Sequence, residues 1–199
     1  GEICVAVASA YCPSLGVNNC IELFEGVKAY DLLYAFLSKT IDSSTDPLVH
    51  YKYIQAAYRT AQYKELERVI RESDYYPPDQ VINFLKEAKS LPDQLPLIIV
   101  CDRWGRVADL VSYLHHNNLS KYLQVYLKDV NPGKLPEVVA CLIDEVAADD
   151  SVILGLLSSN QLGRFDVAEL TGVLEERGRL GILRQWLEYQ CGLVKEGSG

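Results

Sequence analysis

The chain lacks methionine and has few of the other residues that usually carry chemistry. Its 199 residues include no Met, three His and two Trp, and they run from an initial Gly to a final Lys-Glu-Gly-Ser-Gly. We interpret the chain as a piece of a longer protein, in which residues 1–194 form one continuous repeat region and residues 195–199 are an appended tail. No basic leader precedes the first apolar residues, so no signal peptide is predicted.

The sequence has no excess of positive charge and no long apolar run. Lys and Arg number 19 against 27 Asp and Glu, which gives a formal net charge of −8 and a pI near 4.9. This balance argues against nucleic acid or an anionic membrane as a partner. No apolar run approaches the ~20 residues of a membrane-spanning helix, so we expect a soluble protein without membrane insertion. A hydrophobic share of 49% excludes a disordered chain.

Metal-binding and disulfide patterns are also missing. The six cysteines, at positions 4, 12, 20, 101, 141 and 191, form no C-x-x-C pair and no zinc-like spacing with histidine. We therefore predict buried free thiols in a reducing compartment rather than disulfides. No metal and no cofactor is expected.

The sequence contains none of the common catalytic motifs, such as G-x-S-x-G, H-E-x-x-H or a glycine-rich phosphate loop. His115 and His116 follow a helical pattern, where capping of free carbonyls is the simpler interpretation. His50 is predicted on a helix surface. Asp102 and Arg103 are interpreted as a surface pair or as a pair that fixes the following turn. The chain is therefore predicted not to be an enzyme.

Helical periodicity is what the chain does contain, most clearly in residues 80–127. Val81, Phe84, Leu85 and Ala88 form an apolar stripe. Pro92 ends that helix, and Asp93 with Pro96 predicts the start of the next. Because residues 97–101 include no polar side chain, this second helix should be covered on most sides.

Similar signals recur along the whole chain. Asp46-Pro47 predicts a helix start, and Asp166 with Glu169 forms a capping box. About a dozen helices of 10 to 15 residues, joined by short loops, are too many for a four-helix bundle. We predict an all-α fold: a right-handed α-α superhelix, a solenoid of short antiparallel helix hairpins. No segment alternates as a strand does.

Thirteen Tyr against four Phe indicate many half-buried positions with a polar tip. Tyr75, Tyr76 and Trp104 lie in loops, outside the helical stripes. They are candidates for exposed contacts with other proteins, although local packing over a helix turn is the favoured interpretation.

Several segments are distinctive enough to indicate a family. The longest is Asp-Gln-Leu-Pro-Leu-Ile-Ile-Val-Cys-Asp-Arg at positions 93–103, and the others are residues 53–57, 83–89, 109–111, 117–119 and 130–132. Together these segments closely resemble the clathrin heavy chain family. The resemblance extends from about Cys4 to Tyr189 and matches the distal leg. A longer loop at residues 90–92, the turn at 104–106 and weak similarity over 146–164 indicate a divergent eukaryotic member.

The resemblance implies a structural coat protein. Members of the family form three-legged assemblies whose legs interdigitate into a lattice on the cytoplasmic face of coated pits and vesicles, in endocytosis and intracellular transport. The implied partners are other heavy-chain legs. The trimerisation segment and the light-chain sites are implied to lie outside this fragment.

Two alternatives stay open. One is a clathrin-type repeat in another vesicle coat or tethering protein, such as a vacuolar sorting subunit. The other is an enzyme on a helical solenoid, which would require His50 to meet carboxylates in a groove.

Overall fold

The computed structural model describes residues 16–159 and 164–196, with side chains described as far as Cys191. The regular structure of these residues is entirely helical, which confirms the all-α prediction. In chain order the helices are α1 (Val17–Gly26), α2 (Tyr30–Leu37), α3 (Pro47–Arg59), α4 (Tyr63–Glu72), α5 (Pro78–Glu87), α6 (Leu95–Arg103), α7 (Val107–His116), α8 (Lys121–Val125), α9 (Leu135–Asp144), α10 (Asp150–Ser159), α11 (Val167–Glu176) and α12 (Leu180–Glu196). Short 3-10 turns lie at Ile41–Ser43 and Pro132–Lys134.

The helices group into two compact units, Gly1–Arg103 and Trp104–Gly199. The first contains α1 to α6 and the second α7 to α12. A single continuous solenoid over residues 1–194 stays a prediction, as does the assignment of residues 195–199 to a tail.

Within each unit, helices pack on their neighbours in sequence and on the next helix but one. In the first unit α3 contacts α2, α4 and α5, and α6 contacts α4 and α5. In the second, α9 contacts α7 and α11, while α10 contacts α8 and α12. Contacts between alternate helices are what stacked hairpins produce. Each unit therefore has the solenoid arrangement of helix pairs expected from the sequence.

Helix α6 is the most deeply covered element of the first unit. Leu97, Ile98, Val100 and Cys101 are 0% exposed and Ile99 is 3% exposed. The prediction of a covered helix is confirmed. Pro96 lies in its first turn as expected, and the Leu95 amide donates to Asp93 Oδ1 over 2.9 Å.

The helix starts predicted at Asp46 and Asp166 are confirmed. Asp46 is the N-cap of α3, where its carboxylate accepts from the Leu48 amide at 2.9 Å, with Pro47 as the first helical residue. Asp166 caps α11, where Oδ1 accepts from the Ala168 and Glu169 amides at 2.8 and 3.2 Å. These side chains satisfy amides that have no partner inside the helix.

The same turn ends four of the helices. After α1, α3, α7 and α11 comes one residue with positive φ: Lys28 (55°), Ala61 (56°), Asn118 (58°) and Gly178 (66°). In each case the next amide donates back to a carbonyl five residues earlier, as from Gln62 to Ala57 at 2.8 Å and from Arg179 to Leu174 at 2.7 Å. This geometry satisfies carbonyls at the helix end and turns the chain into the next helix. The hairpins thus share a backbone turn, although their turn residues differ.

Helical periodicity also predicts an apolar stripe of Cys20, Leu23, Phe24 and Val27 in α1 and one of Leu180, Leu183, Trp186 and Leu187 in α12, and the structure buries only part of each. Leu23 and Val27 are 64% and 68% exposed, whereas Cys20, Ile21 and Phe24 carry the contact face of α1. In α12, Leu180 and Leu187 are 45% and 42% exposed, whereas Trp186 is buried as predicted and Ile182, which lies outside the predicted stripe, is also buried. Periodicity selects the candidates, but the neighbouring helix decides which of them is covered.

The apolar pattern of Leu119, Tyr122, Leu123, Tyr126, Leu127 and Val130 predicts one helix, but its hydrogen-bond pattern changes after Val125. Residues Tyr126–Val130 form a π-helical turn, and the Asn131 amide donates to the Tyr126 carbonyl at 2.8 Å. Tyr126 and Leu127 are both 0% exposed. The wider turn brings two successive side chains into the core of the second unit.

Candidate contact surfaces

The three predicted contact residues have different environments. Tyr75 is 48% exposed, with its ring centroid 5.2 Å from that of His50, and Trp104 is 37% exposed. Tyr76 is 1% exposed, so its predicted exposure is wrong. Its hydroxyl donates to the Ile70 carbonyl over 2.8 Å. This carbonyl lies in the last turn of α4, where carbonyls have no hydrogen-bond partner inside the helix. Tyr76 is a packing residue, which is the interpretation favoured for its loop position.

Arg103 contacts a loop about thirty residues earlier in the chain. Its guanidinium reaches back to the loop between α4 and α5, where it donates to the carbonyls of Ile70 at 2.5 Å and Ser73 at 2.8 Å. It also lies 2.5 Å from Asp74 Oδ1. Charge-assisted bonds to main-chain oxygens hold this loop against the end of α6. Arg103 therefore has a role that the sequence did not predict: it is a structural clamp within the first unit.

His50 is buried, with 4% exposure, so the prediction of a surface histidine is wrong. Nε2 lies 2.8 Å from the Ser44 carbonyl oxygen and Nδ1 lies 2.9 Å from Ser73 Oγ. A carbonyl can only accept, so in the neutral ring Nε2 carries the hydrogen and Nδ1 accepts from the Ser73 hydroxyl. His50 thus connects Ser44, in the segment before α3, to Ser73, the residue that follows α4.

Carboxylates do line the small cleft beside His50, as the enzyme alternative requires. This cleft has a volume of about 170 Å³ and includes Asp42, Arg68 and Glu72. However, Arg68 pairs with Glu72 at 3.2 Å and with Asp42 at 3.6 Å, while both His50 nitrogens are used by serines. The hydrogen bond that the Arg68 guanidinium donates to Glu65 is the main cause of the raised pKa of Arg68. The groups stabilise one another and do not converge on a shared space, so the enzyme alternative gains no support.

A concavity lies between α3 and α5 of the first unit. We call it the aromatic cleft; it has a volume of about 590 Å³. The Phe84 ring stands nearly perpendicular to those of Tyr51 and Tyr58, with interplanar angles of 84° and 89°. Its lining residues are mostly aromatic or polar: Tyr51, Gln55, Tyr58, Arg59, Gln80, Asn83, Phe84, Glu87 and Ala88.

Sequence reasoning missed the aromatic cleft for an identifiable reason. Phe84 was assigned to the inward stripe of α5, but Val81, Ile82 and Leu85 are the buried residues of that helix. Tyr51 and Tyr58 are seven residues apart, a spacing that places both on one face of α3. That spacing is the one signal that could have found the cleft. Tyrosines are in general half-buried as predicted.

A second concavity lies in the second unit, between α8 and α10. It has a volume of about 260 Å³ and is lined by residues that include Lys121, Leu123, Ser151 and Gly155. A Cβ added at Gly155 would meet no atom within 4 Å. The groove is open and bears no cluster of charged groups.

Of the two histidines at the end of α7, His116 has the predicted capping contact, whereas Nδ1 of His115 is buried with no hydrogen-bond partner among the described residues. His116 Nδ1 lies 2.7 Å from the Ser112 carbonyl in the last turn of α7, as expected for a capping residue. Within residues 16–159 and 164–191, no group of His, Cys, Asp and Glu has an arrangement that holds a metal ion. None of the helices in the described part of the chain combines the length and apolarity needed to span a membrane.

The cysteines follow the prediction only in part. Cys20 and Cys101 are buried free thiols, Cys141 is half-buried, and Cys191 is exposed. Burial, together with the nearby carboxylates of Glu137 and others, raises the pKa of the Cys141 thiol. The prediction of a buried thiol is therefore wrong for Cys191, and Cys4 and Cys12 lie outside the described residues.

Stacked helix hairpins with polar grooves define a protein of the α-helical repeat class. The chain belongs to the clathrin family: the family model described as a region in clathrin and VPS matches residues 8–148. It is 50% identical over 196 residues to the human protein named clathrin heavy chain 2, and 51% identical over 196 residues to the Drosophila melanogaster clathrin heavy chain. The Dictyostelium discoideum clathrin heavy chain is 43% identical over 197 residues. These alignments cover 98–99% of the chain but only 11–12% of the relatives.

Proposed function

We propose that the chain is a leg segment of a clathrin heavy chain and serves as a structural coat element without catalytic activity. The observation that carries this proposal is the identity of about half the residues, along nearly the whole chain, with proteins named clathrin heavy chain in human and fly. The matched region is about a tenth of those proteins. The chain therefore supplies part of a leg, and the activity of a coat belongs to the whole protein.

The proposed mechanism is mechanical. Stacked hairpins present a long surface of helix faces and loops, over which many weak polar contacts can add up and still be reversed. Other heavy-chain legs are the proposed partners, at the cytoplasmic face of coated pits and vesicles. Tyr75 and Trp104 are proposed contact residues because their large rings are partly exposed at loops. Trimerisation and light-chain binding are assigned to parts of the protein outside this chain.

A second candidate is a vacuolar sorting or tethering subunit, since the matching family model covers a region in clathrin and VPS proteins. The names of the relatives favour clathrin, because the animal, plant and slime-mould proteins that match over nearly the whole chain are all called clathrin heavy chains.

A segment exchange tests the proposal. The chain would replace the matching 197 residues of the Dictyostelium clathrin heavy chain. We expect the chimera to assemble with light chains, to form cages from purified protein and to restore endocytic uptake in cells that lack the endogenous heavy chain.

The exchange needs two controls. A heavy chain from which the same residues are deleted should fail to form cages. A chimera in which Tyr75 and Trp104 are both changed to Ser should trimerise normally but assemble less readily. A chimera that is folded and trimeric, yet forms no cages and restores no uptake, would contradict the proposed function.

A further inference from the structure

Tyr75 differs from the other described tyrosines in its accessibility. Of the thirteen tyrosines, all except Tyr11 lie among the described residues, and in that set only Tyr75 and Tyr189 are exposed, at 48% and 52%. Tyr189 lies within α12, whereas Tyr75 lies in the loop between α4 and α5. Tyr75 is therefore the one described tyrosine that is both exposed and outside a helix.

The loop holds Tyr75 on a well-defined backbone. Ser73 and Pro77 are both extended, with ψ of 137° and 111°. The Tyr75 amide donates to Ser73 Oγ over 3.1 Å, and Arg103 donates to the Ser73 carbonyl over 2.8 Å. The Tyr75 ring lies beside the His50 ring, with 5.2 Å between centroids, and its hydroxyl has no hydrogen-bond partner among residues 16–159 and 164–191. The hydroxyl is thus available without a change in the fold.

The exposed charge around Tyr75 is negative. Glu72 and Asp74, three residues and one residue before it, are 65% and 77% exposed. The arginines that pair with them, Arg68 and Arg103, are only 34% and 25% exposed. Protein kinases select substrates partly by charge pattern, so acidic residues before the acceptor suit a kinase with a basic substrate groove.

We propose that Tyr75 is a site of tyrosine phosphorylation and that the added phosphate weakens contacts between legs at this loop. The second part rests on the function proposed above. In the reaction the Tyr75 hydroxyl oxygen bonds to the γ-phosphorus of ATP, while the bond from that phosphorus to the oxygen bridging it to the β-phosphorus breaks. ADP leaves with the electron pair of that bond, and the phenolic proton passes to a carboxylate base of the kinase.

The phosphate acts through its charge. It adds about −1.5 to −2 at pH 7 to a surface on which carboxylates already dominate. The two nearby guanidiniums, those of Arg68 and Arg103, are already paired with carboxylates. A partner leg segment with the same sequence also has a net charge of −8. Like charges across a contact repel, so the modification favours separated legs.

Phosphorylation of the folded chain is the first test. The chain of 199 residues is incubated with MgATP and the catalytic domain of a tyrosine kinase that prefers acidic substrates, and the product is mapped by mass spectrometry. We expect one phosphate, at Tyr75, and a shift of the His50 ring signals in NMR spectra because the two rings are adjacent. Tyr75→Phe should reduce incorporation about tenfold or more. Tyr189→Phe, which removes a similarly exposed hydroxyl from a helix, should leave incorporation unchanged.

Three results would overturn the site. They are unchanged incorporation in Tyr75→Phe, phosphate on Tyr189 in preference to Tyr75, and no phosphate on the folded chain. A synthetic peptide of residues 69–80 identifies the cause of the last result. Modification of the peptide alone would show that the folded loop does not fit a kinase, and modification of neither would show that the sequence is not recognised.

Cage assembly by the chimeric heavy chain tests the effect of the phosphate. The kinase-treated chimera should need about threefold or more protein to form cages, and phosphatase treatment should reverse this change. The Tyr75→Phe chimera, treated in the same way, controls for phosphate elsewhere in the heavy chain and should assemble as the untreated chimera does. Unchanged assembly with phosphate at Tyr75 would overturn the regulation alone, whereas an untreated chimera that forms no cages would overturn the proposed function as well.

Discussion

At the scale of single residues, main-chain carbonyls near helix ends decide several side-chain positions. Arg103 is the clearest case, since it contacts the Ile70 and Ser73 carbonyls, about thirty residues earlier in the chain. Tyr76 donates to the same Ile70 oxygen. A buried carbonyl without a donor costs free energy, so two side chains from distant positions converge on one helix end.

We expect Arg103→Ala to destabilise the first unit by about 2 kcal/mol, because charge-assisted bonds to two carbonyls are lost in a side chain that is only 25% exposed. The measurement is the midpoint of urea unfolding, together with amide exchange in α4 and α5. Arg103→Lys should be less destabilising than Arg103→Ala, because a lysine ammonium can donate to one of the two carbonyls but cannot bond both as the guanidinium does.

The matched control for Arg103 is its own acidic partner. Asp74 is 77% exposed, so its ion pair with Arg103 is strongly screened by solvent. Asp74→Asn should leave the unfolding midpoint nearly unchanged. If Asp74→Asn were as damaging as Arg103→Ala, the ion pair and not the carbonyls would hold the loop.

At the scale of elements, the shared hairpin turn links sequence to fold. Ala61 and Gly178 occupy equivalent places after α3 and α11, with φ of 56° and 66°. Only glycine adopts this conformation without a steric penalty from Cβ. The alanine turn is therefore strained, and the glycine turn is not.

We expect opposite effects from exchanging these two residues. Ala61→Gly should stabilise the chain by about 0.5 kcal/mol, because relief of strain exceeds the added freedom of the unfolded chain. Gly178→Ala should destabilise it by about 1 kcal/mol, although an added Cβ meets no atom within 4 Å. Thermal unfolding midpoints measured in one buffer would show both effects.

The control for this pair is a glycine introduced in place of an alanine at an ordinary helical position. Ala108 is exposed within α7, so Ala108→Gly should destabilise by about 1 kcal/mol. A loss of stability in Ala61→Gly similar to that of Ala108→Gly would show that the turn at Ala61 is not strained.

At the scale of the whole molecule, the chain has two compact units, and each has its own buried core. Leu170 is 0% exposed in α11 of the second unit, and Leu37 is 0% exposed in α2 of the first. Truncation of a buried leucine removes apolar contacts and leaves a cavity.

We expect Leu170→Ala to destabilise the second unit by about 2–5 kcal/mol, the range for such truncations. Native-state amide exchange should show the loss of protection first in α9, α11 and α12, which pack together. Leu37→Ala should instead lower protection in α1 to α4. Equal loss of protection in all helices after either change would contradict separate cores.

The sequence by itself determined the class of fold, most helix boundaries and the family. These depend on local signals: the period of apolar residues, proline and aspartate at helix starts, and the long run at residues 93–103. Such signals act within a few residues of the chain, so they can be interpreted without knowing its neighbours in space.

Only the tertiary structure decided the surfaces. His50 and Tyr76 are buried because distant carbonyls and hydroxyls need partners, and Leu23 is exposed because α1 presents another face to its neighbours. The aromatic cleft forms because Tyr51 and Tyr58 of α3 meet Phe84 of α5. Periodicity identifies the apolar residues of a helix, but packing between helices separated in sequence decides which of them are buried and which line a groove.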